Sequence, residues 1–402
     1  MSAQLSMGIQ LQRLQVLTAG VLSLMLMLGV ARFAYTPLLP VMQQQAGLSP
    51  FAGGWLASVN YLGYLCGALI AASISSLTLK DKLYRSGLLI ALISTAGMAL
   101  CENVWLWAFM RFIAGLSSAA GLLIGSGLIM HWLIRNGHRS ELGIHFSGVG
   151  LGILCCSLAV DLMSPYLGWR EQWVALTLCG VLFAVPAWLW LPSPTTAGGS
   201  QHEEAMYDRP PSRLYMGIFM AAYFCAGVGY VVSATFLVAI VDQQPALQGQ
   251  GAFVFLLVGA AAAPACILWD LLARRIGDIN ALIIAAALHA LSILAPTQGG
   301  LAMALLGGAL FGATFMGIVS LVLTMAGRFY PSRPAKMMGK MTLTYGVAQI
   351  LSPAITGRLA ETGGDYADGL YLAAAVMALG VLLLLTLKSV EQNERRQALS
   401  YT

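Results

Sequence analysis

The sequence predicts an all-α integral membrane protein whose twelve transmembrane helices form two six-helix halves. Of the 402 residues, 58% are hydrophobic and only 9% are charged, whereas about 25% of the residues of a typical soluble domain are charged. Twelve apolar stretches reach the roughly 20 residues that a helix needs to cross a bilayer core. The longest polar interval of the chain separates six of these stretches from the other six.

The twelve predicted spans are 14–40, 54–76, 84–101, 104–133, 142–165, 172–192, 214–241, 250–269, 279–298, 300–327, 341–360 and 369–388. Each is a run of mostly apolar residues between polar segments. The first span is too long for the apolar region of a signal peptide, and no small-residue cleavage site follows it, so we expect it to remain in the mature protein. An even number of spans places both termini on the same face of the membrane.

The distribution of Lys and Arg predicts which face that is. Of the 21 basic residues, only Arg170 and Arg358 lie in loops on the face opposite the termini, and only Arg32 and Arg111 lie within spans. Cytoplasmic loops carry the excess of basic residues, so we expect both termini to be cytoplasmic. Because the basic residues are dispersed over many loops, the net charge of +5 predicts no nucleic-acid partner.

The polar interval 193–213 divides the chain into an N-terminal half, 1–192, and a C-terminal half, 214–402, which carries a short cytoplasmic tail. We interpret this interval as a cytoplasmic linker because it is rich in Pro, Gly and Ser. Glycines recur in the second half at an almost constant offset, as in the pair Gly115 and Gly312. Parallel six-helix repeats with a substrate site between them are typical of transporters.

Several function classes are disfavoured by what the sequence lacks. It contains no Cys/His spacing that would bind zinc, no phosphate-binding glycine loop with Lys and no nucleophile or metalloprotease motif. We therefore expect no cofactor, no metal and no enzymatic activity. A channel is disfavoured because the two-half organisation comes without rings of acidic or basic residues.

Two loops at equivalent places in the halves carry a resemblance to the major facilitator superfamily. Residues 77–85, LTLKDKLYR, resemble its loop motif GxLaDRxGR, with Asp81 and Arg85 at charged positions of the motif and both glycines replaced. Residues 270–278, DLLARRIGD, resemble the same motif and keep Arg275, with Arg274 where the acid belongs.

Further segments extend the resemblance over the whole chain. Arg111 and Gly115 in span 4 are similar to the superfamily's RxxxG motif. Residues 29–40 of the first span and 346–353 of span 11 resemble the YbfB/YjiJ-like bacterial branch. The resemblance implies the twelve-helix major facilitator fold.

The resemblance also implies a function. It predicts a monomeric secondary transporter in the bacterial inner membrane that moves a small solute by alternating access coupled to protons. The loop residues Asp81, Arg85 and Arg275 would then contribute to gating. A sensor or receptor that keeps the cavity without transporting is the alternative.

Charged residues inside the spans are the first candidates for a site, because a charge at membrane depth costs about 2.5 kcal/mol or more. Counted along their helices, Arg32, Arg111 and Asp161 lie at comparable levels in the outer half of the membrane. We expect Arg111 to pair with Asp161, which leaves a surplus positive charge for an anionic or polar substrate. Arg32 would contact that substrate, since a guanidinium binds a carboxylate bidentately. Alternatively, both arginines satisfy backbone carbonyls or extend to lipid headgroups.

Uncharged polar residues complete the predicted site. Tyr35 and Asn60 of the first half and Tyr230 and Gln349 of the second would line a central cavity. Asp161 and His145 are the candidates for proton coupling, and an interfacial hydrogen-bonding role is the alternative for His145. Glycine-rich faces in spans 4, 5 and 10 would permit either sliding between helices or static close packing.

Overall fold

The computed structural model describes residues 2–136, 138, 142–194, 210–329 and 334–400. Ten of the helices in these ranges are long and apolar enough to cross a membrane by length and composition. Two further helices, Leu77–Met98 and Pro334–Gly363, occupy the places of the third and eleventh predicted spans. The prediction of an all-α membrane protein with twelve spanning helices is confirmed.

The helices follow the predicted order. Those of the first half are α1 (Ser2–Leu24, the π-helical Met25–Phe33 and Tyr35–Gln45), α2 (Pro50–Ser73), α3 (Leu77–Met98), α4 (Val104–Ala119, the π-helical Ala120–Gly125 and Ser126–Arg135), α5 (Leu142–Met163) and α6 (Trp169–Trp190). Those of the second half are α7 (Arg213–Asp242), α8 (Gly251–Ile276), α9 (Asp278–Leu294, followed by the 3-10 turn Ala295–Gln298), α10 (Leu301–Phe329), α11 (Pro334–Gly363) and α12 (Ala367–Ser400). We call the end of the bundle that holds both termini the inner end and the opposite end the outer end.

Five helices extend beyond the predicted spans by seven residues or more at the inner end. Helix α1 begins at Ser2 instead of 14, and α12 ends at Ser400 instead of 388. Helix α3 begins at Leu77 instead of 84, α8 ends at Ile276 instead of 269, and α11 begins at Pro334 instead of 341. Hydropathy locates where a helix leaves the apolar layer, and a helix with charged residues can continue past that level. The predicted linker 193–213 lies largely outside the described residues, as do the basic residues at 139, 209 and 333.

Local sequence signals fix where the helices begin. The side chains of Ser49 and Asn103 accept hydrogen bonds from the first turns of α2 and α4. The hydroxyls of Ser76 and Ser212 do the same for α3 and α7. These caps satisfy N–H groups that have no partner within the helix. Between α8 and α9, Gly277 adopts a φ of 88°, which separates the two helices within one residue.

Burial separates central helices from peripheral ones. In α7, 94% of the most apolar stretch is buried within the protein, against 28% in α6 and 39% in α12. Helix α7 therefore runs through the middle of the bundle, whereas α6 and α12 expose large apolar side chains such as Leu182 and Leu382. That exposure is the pattern expected of helices that face lipid.

Glycines line the two seams along which the halves meet. In the seam between α5 and α8, a Cβ on Gly150 would overlap the backbone of Ala263, and one on Gly259 would overlap Leu154. The other seam joins α2 to α11, where Gly54 lies against the carbonyl of Pro353. Small residues at both seams let the two backbones approach closely.

The first half contains a tight crossing of α2 and α4. A Cβ on Gly63 would overlap the carbonyl of Phe112, and one on Gly115 would overlap the carbonyl of Asn60. Gly115 is the glycine of the RxxxG segment, so the motif has a packing role here: it brings Arg111, one turn away, against α1 and α2.

We expect Gly115→Val to destabilise the protein by about 1–3 kcal/mol or more, because the added side chain has only backbone to displace. Gly127→Val on the same helix is the matched control, since a Cβ there meets no atom within 4 Å. Thermal unfolding of the purified proteins measures the effect. Equal unfolding temperatures for the two variants would contradict the described crossing.

Candidate functional site

Arg111 is buried between α1, α2 and α4, where it holds the backbone of α1. Its Nη1 donates to the carbonyl oxygens of Ala31 at 3.2 Å and Arg32 at 3.3 Å. Its guanidinium carbon lies 4.3 Å from the centre of the Tyr35 ring, a favourable cation–π contact. The side chain amide of Asn60 donates to the backbone carbonyl of Arg111 at 2.7 Å. The side chain of Arg111 therefore has a structural role within the first half.

The carbonyl oxygens that receive Arg111 lie where the helical geometry of α1 changes. The segment Met25–Phe33 is π-helical, and Ala34 N donates to Gly29 O five residues back at 2.8 Å. Pro37 follows, and proline has no N–H to give to the carbonyls four and five residues before it. The carbonyls of Ala31 and Arg32, which receive Arg111, lie at the end of the π-helical segment, where the helix changes to the α-helical Tyr35–Gln45.

The predicted ion pair between Arg111 and Asp161 is wrong. Asp161 is half-buried near the outer end of α5, and its carboxylate forms no ion pair among the described residues. Asp161 stands seven residues after Leu154, which faces Gly259 of α8. Residues seven apart lie on about the same face of a helix, so Asp161 shares the face of α5 that Leu154 turns toward α8.

Arg32 is a buried charge that has neither a counterion nor a backbone carbonyl as its partner among the described residues. It is only 6% exposed, and its Nε has no hydrogen-bond partner. Its guanidinium carbon lies 4.5 Å from the centre of the Tyr61 ring and 4.9 Å from that of Tyr64. No Asp or Glu in the described ranges pairs with it. Aromatic rings therefore surround this cation where carboxylates would be expected.

The second half contributes a group of aromatic rings that lies beside Arg32, and we call this group the aromatic wall. The Tyr230 ring of α7 lies 6.3 Å from the Tyr61 ring of α2, at an interplanar angle of 86°. Behind it, the Phe315 ring of α10 stacks on Tyr230 at 5.4 Å, and Tyr345 of α11 lies 5.7 Å away. The contact between Tyr61 and Tyr230 joins the two halves directly beside Arg32.

Two side-chain amides near this junction have unsatisfied atoms. Gln349 follows Tyr345 by one turn of α11, is 3% exposed, and has no partner for its Oε1. Asn60 is fully buried, and its Oδ1 also lacks a partner. Buried polar groups are normally hydrogen-bonded, and an orphan atom calls for an explanation. A ligand bound between the halves would supply the missing partners.

Contacts at the outer end close the site on that side. The Thr36 hydroxyl of α1 donates to the carbonyl of Ala234 in α7 at 2.5 Å, and Gln43 Nε2 donates to the Tyr366 hydroxyl at 2.8 Å. The Tyr366 ring also stacks on Phe236 of α7, with the ring centres 4.7 Å apart. These side chains form what we call the outer seal, consisting of Thr36, Gln43, Phe236 and Tyr366.

A family profile described as "Uncharacterised MFS-type transporter YbfB" matches residues 24–385 of the chain. This range covers nearly all of both six-helix halves. The chain belongs to this family of major facilitator transporters. The family resemblance predicted from the loop motifs is thereby confirmed.

Curated relatives match shorter parts of the chain. An uncharacterised MFS-type transporter, Ent638_1421 of Enterobacter sp. (strain 638), is 27% identical over 195 residues, which are 47% of this chain and 48% of the relative. A second uncharacterised MFS-type transporter, YceJ of Bacillus subtilis (strain 168), is 33% identical over 97 residues, which are 24% of this chain and 25% of YceJ. The efflux pump radE of Floropilus chiversii is 28% identical over 135 residues, which are 33% of this chain and 25% of the pump. The matches thus span between a quarter and a half of the curated relatives.

Solved structures share the fold over the whole length. A mutant of the nucleoside transporter NupG superimposes with a TM-score of 0.75, covering 94% of this chain and 99% of NupG at 13% identity. A bacterial homologue of the lysosomal transporter Spinster, solved inward-facing and unoccupied, gives 0.64 over 94% and 96% at 16% identity. At such low identity these likenesses establish the major facilitator fold alone.

The family's loop motif ties α3 to α6 in the first half. Arg85 Nε donates to both carboxylate oxygens of Asp81, at 3.2 and 3.1 Å. Its Nη1 and Nη2 donate to the carbonyls of Trp188 at 2.7 Å and Leu191 at 3.0 Å. These carbonyls end α6 and have no partner within the helix, so the cation caps it. A gating role for Asp81 and Arg85 stays a prediction.

The charged residues of the second copy of the motif form different ion pairs. Gly277 breaks the helix inside it, so Arg274 pairs with Asp270 within α8 at 2.7 Å, and Asp278 pairs instead with Arg328 of α10. Arg275 is exposed at the inner end of α8. Its predicted gating role is untested.

His145 lies away from Arg32, in a junction of three helices. Its Nε2 is 3.0 Å from the Ser126 hydroxyl of α4, and its ring packs against Gly20 of α1. Gly20 lies roughly three helical turns inward of Arg32. The side chain is fully buried, so the structure places it in packing between α1, α4 and α5; its coupling role stays a prediction.

The predicted site residues thus fall into two groups. Arg32 and Tyr230 both contact Tyr61 at the junction of the halves. Gln349 lies one turn of α11 beyond Tyr345, whereas Asn60 donates to the backbone of α4 within the first half. Tyr35 supports Arg111, and its hydroxyl donates to the carbonyl of Gly53 at 2.9 Å. The aromatic pair Phe311 and Phe315 was not anticipated, although its four-residue spacing on α10 signals one shared face.

We expect the two buried arginines to respond oppositely to substitution. Arg111→Gln should destabilise the protein by about 2 kcal/mol or more, because the carbonyls of α1 lose their donor. Arg32→Gln should leave the stability unchanged or raise it, because an unpartnered buried charge is removed. Thermal unfolding of both variants beside the wild type tests this. A larger loss for Arg32→Gln would contradict the described hydrogen bonding.

Proposed function

We propose that this protein is a secondary active transporter that moves a small anionic or polar solute across the bacterial inner membrane by alternating access. The observation that carries the proposal is Arg32, a buried cation beside the junction of the halves whose Nε has no partner. An unpaired charge at membrane depth is costly and marks a functional site by default. A bound anion would neutralise it.

The packing between the halves supports alternating access. The seams α5–α8 and α2–α11 are lined by glycines, so the helices can rock against each other without bulky side chains having to repack. The outer seal consists of a few polar contacts and one ring stack, which can separate at low cost. The residues around Arg32 lie between these two features, where rocking would expose them to one side at a time.

The orientation follows from the basic residues. Basic residues such as Lys80, Arg274 and Lys388 lie in loops or helix ends at the inner end, on the same side as both termini. We therefore propose that this side is cytoplasmic and that the outer seal faces the periplasm. We also propose that the transporter works as a monomer, because each chain contains both halves and the junction between them.

Protons are the coupling ion that we propose. None of the carboxylates in the described part of the chain pairs with Arg32 or Arg111. The titrating group would then be Asp161 at the α5–α8 seam, His145, or the carboxylate of the substrate itself. Asp161→Asn and His145→Gln distinguish these, since uptake driven by a pH gradient survives both substitutions if the substrate carries the proton.

The function is tested by flux in proteoliposomes made with the purified protein. Labelled monocarboxylates, dicarboxylates and a nucleoside serve as probes, and we expect saturable counterflow of at least one anion. Arg32→Gln should reduce it about tenfold or more, since one partner of a buried charge pair is lost. Arg170→Gln, a substitution of a half-exposed arginine paired with Glu102, is the matched control. Binding without counterflow would contradict transport and indicate a sensor instead.

The outer seal gives a second test of alternating access. In a variant without native cysteines, Gln43→Cys and Tyr366→Cys place thiols where the two side chains now meet. We expect a short bis-maleimide to join them and to block counterflow, because the outer end can no longer open. Each single cysteine variant treated in the same way is the control. Full counterflow in the crosslinked protein would contradict rocking at this end.

A further inference from the structure

We propose that the site selects a monocarboxylate with a flat aromatic body, an inference that rests on the transport function proposed above. Its three parts are the guanidinium of Arg32, which has no acidic partner among the described residues, the stacked aromatic rings of the second half, and the unsatisfied amide oxygen of Gln349 on α11. Each part restricts the chemistry of the ligand in a different way.

The charge of the site fits a single negative group. Arg111 already donates to two carbonyls of α1 through its Nη1, which holds its guanidinium against the backbone of the first half. The Nε atoms of both arginines lack a partner, but the guanidinium of Arg32 lies against aromatic rings and donates to no carbonyl or carboxylate of the described residues. A guanidinium accommodates one carboxylate in a planar, bidentate contact. A dianion would leave its second charge among aromatic rings without a cation to pair with, which is unfavourable in a buried site.

The shape of the site fits a flat ring. Tyr230, Phe311 and Phe315 are stacked, with interplanar angles of 20°, 27° and 18° between their pairs. These near-parallel rings form one continuous surface in the second half. Tyr61 approaches this surface edge-on from the first half, next to Arg32. When the halves part, the gap between Tyr61 and Tyr230 takes a planar body that stacks on the wall.

The position of the charge relative to the wall orients such a ligand. Tyr61 contacts both Arg32 and Tyr230, so the carboxylate and the ring of one small molecule would occupy neighbouring places. A hydroxyl or amine on the ring would find the Oε1 of Gln349, which is buried and unpaired. An aliphatic acid keeps the charge contact and loses the stacking.

Calorimetric titration of the full-length purified protein with matched probes tests the proposal. Benzoate is compared with benzamide, which lacks the charge, with cyclohexanecarboxylate, which lacks the flat ring, and with phthalate, which has a second charge. We expect benzoate to bind about 2- to 12-fold more tightly than cyclohexanecarboxylate, the range that an aromatic contact contributes. Benzamide and phthalate should bind more weakly still.

Three variants assign these preferences to residues. Arg32→Gln should raise the Kd for benzoate about 30-fold or more, whereas Arg170→Gln should leave it unchanged. Tyr230→Leu should abolish the preference for benzoate over cyclohexanecarboxylate, and Tyr230→Phe, which keeps the ring, should retain it. A single cooperative thermal unfolding transition shows that each variant is folded.

The results separate this proposal from the transport function. Benzoate binding with the expected preferences but no counterflow supports the ligand class and overturns transport. Counterflow of a dicarboxylate or nucleoside, with no saturable benzoate binding at millimolar concentration, overturns the ligand class and leaves transport standing. Unchanged benzoate affinity in Arg32→Gln also overturns the proposal.

Discussion

The burial of two arginines without an acidic partner is the constraint on which the rest of this structure depends. Each charge at membrane depth costs about 2.5 kcal/mol or more unless its surroundings compensate it. For Arg111 the compensation is built in, because it donates to two carbonyl oxygens at the end of the π-helical segment of α1. For Arg32 the fold offers tyrosine side chains, and no carboxylate of the described residues pairs with it. That difference makes Arg111 part of the scaffold and is the basis for our proposal that Arg32 binds an anion.

The two halves contribute different things to the junction. In the first half, the glycine crossing of α2 and α4 brings Arg111 and Asn60 against α1 and so fixes the backbone that carries Arg32. The second half contributes a packed aromatic surface from α7, α10 and α11. Glycines at the seams keep the connection between the halves free of interlocking side chains. A rigid charge, a rigid wall and a movable interface between them are what a rocking transporter requires.

The sequence predicts the helices well and the side-chain neighbours poorly, for a physical reason. Apolar length is a local property, so all twelve spans are found, and only charged extensions such as the start of α3 are missed. Depth along a helix can be counted, but the direction in which a side chain points depends on packing. Asp161 has the right depth to meet Arg111 and the wrong direction, since it lies on the α8 face of α5. Phe311 and Phe315 escape notice because apolar residues carry no signal of a site.

Solid-state NMR gives the most direct measurement of the central claim, the contact between a bound carboxylate and Arg32. Benzoate labelled with carbon-13 at its carboxylate would be bound to protein with nitrogen-15-labelled arginines in lipid. The account predicts a dipolar coupling that corresponds to a carbon–nitrogen distance within about 4 Å and that disappears in Arg32→Gln. A coupling that persists in that variant, or a bound carboxylate that couples to no arginine, would contradict it.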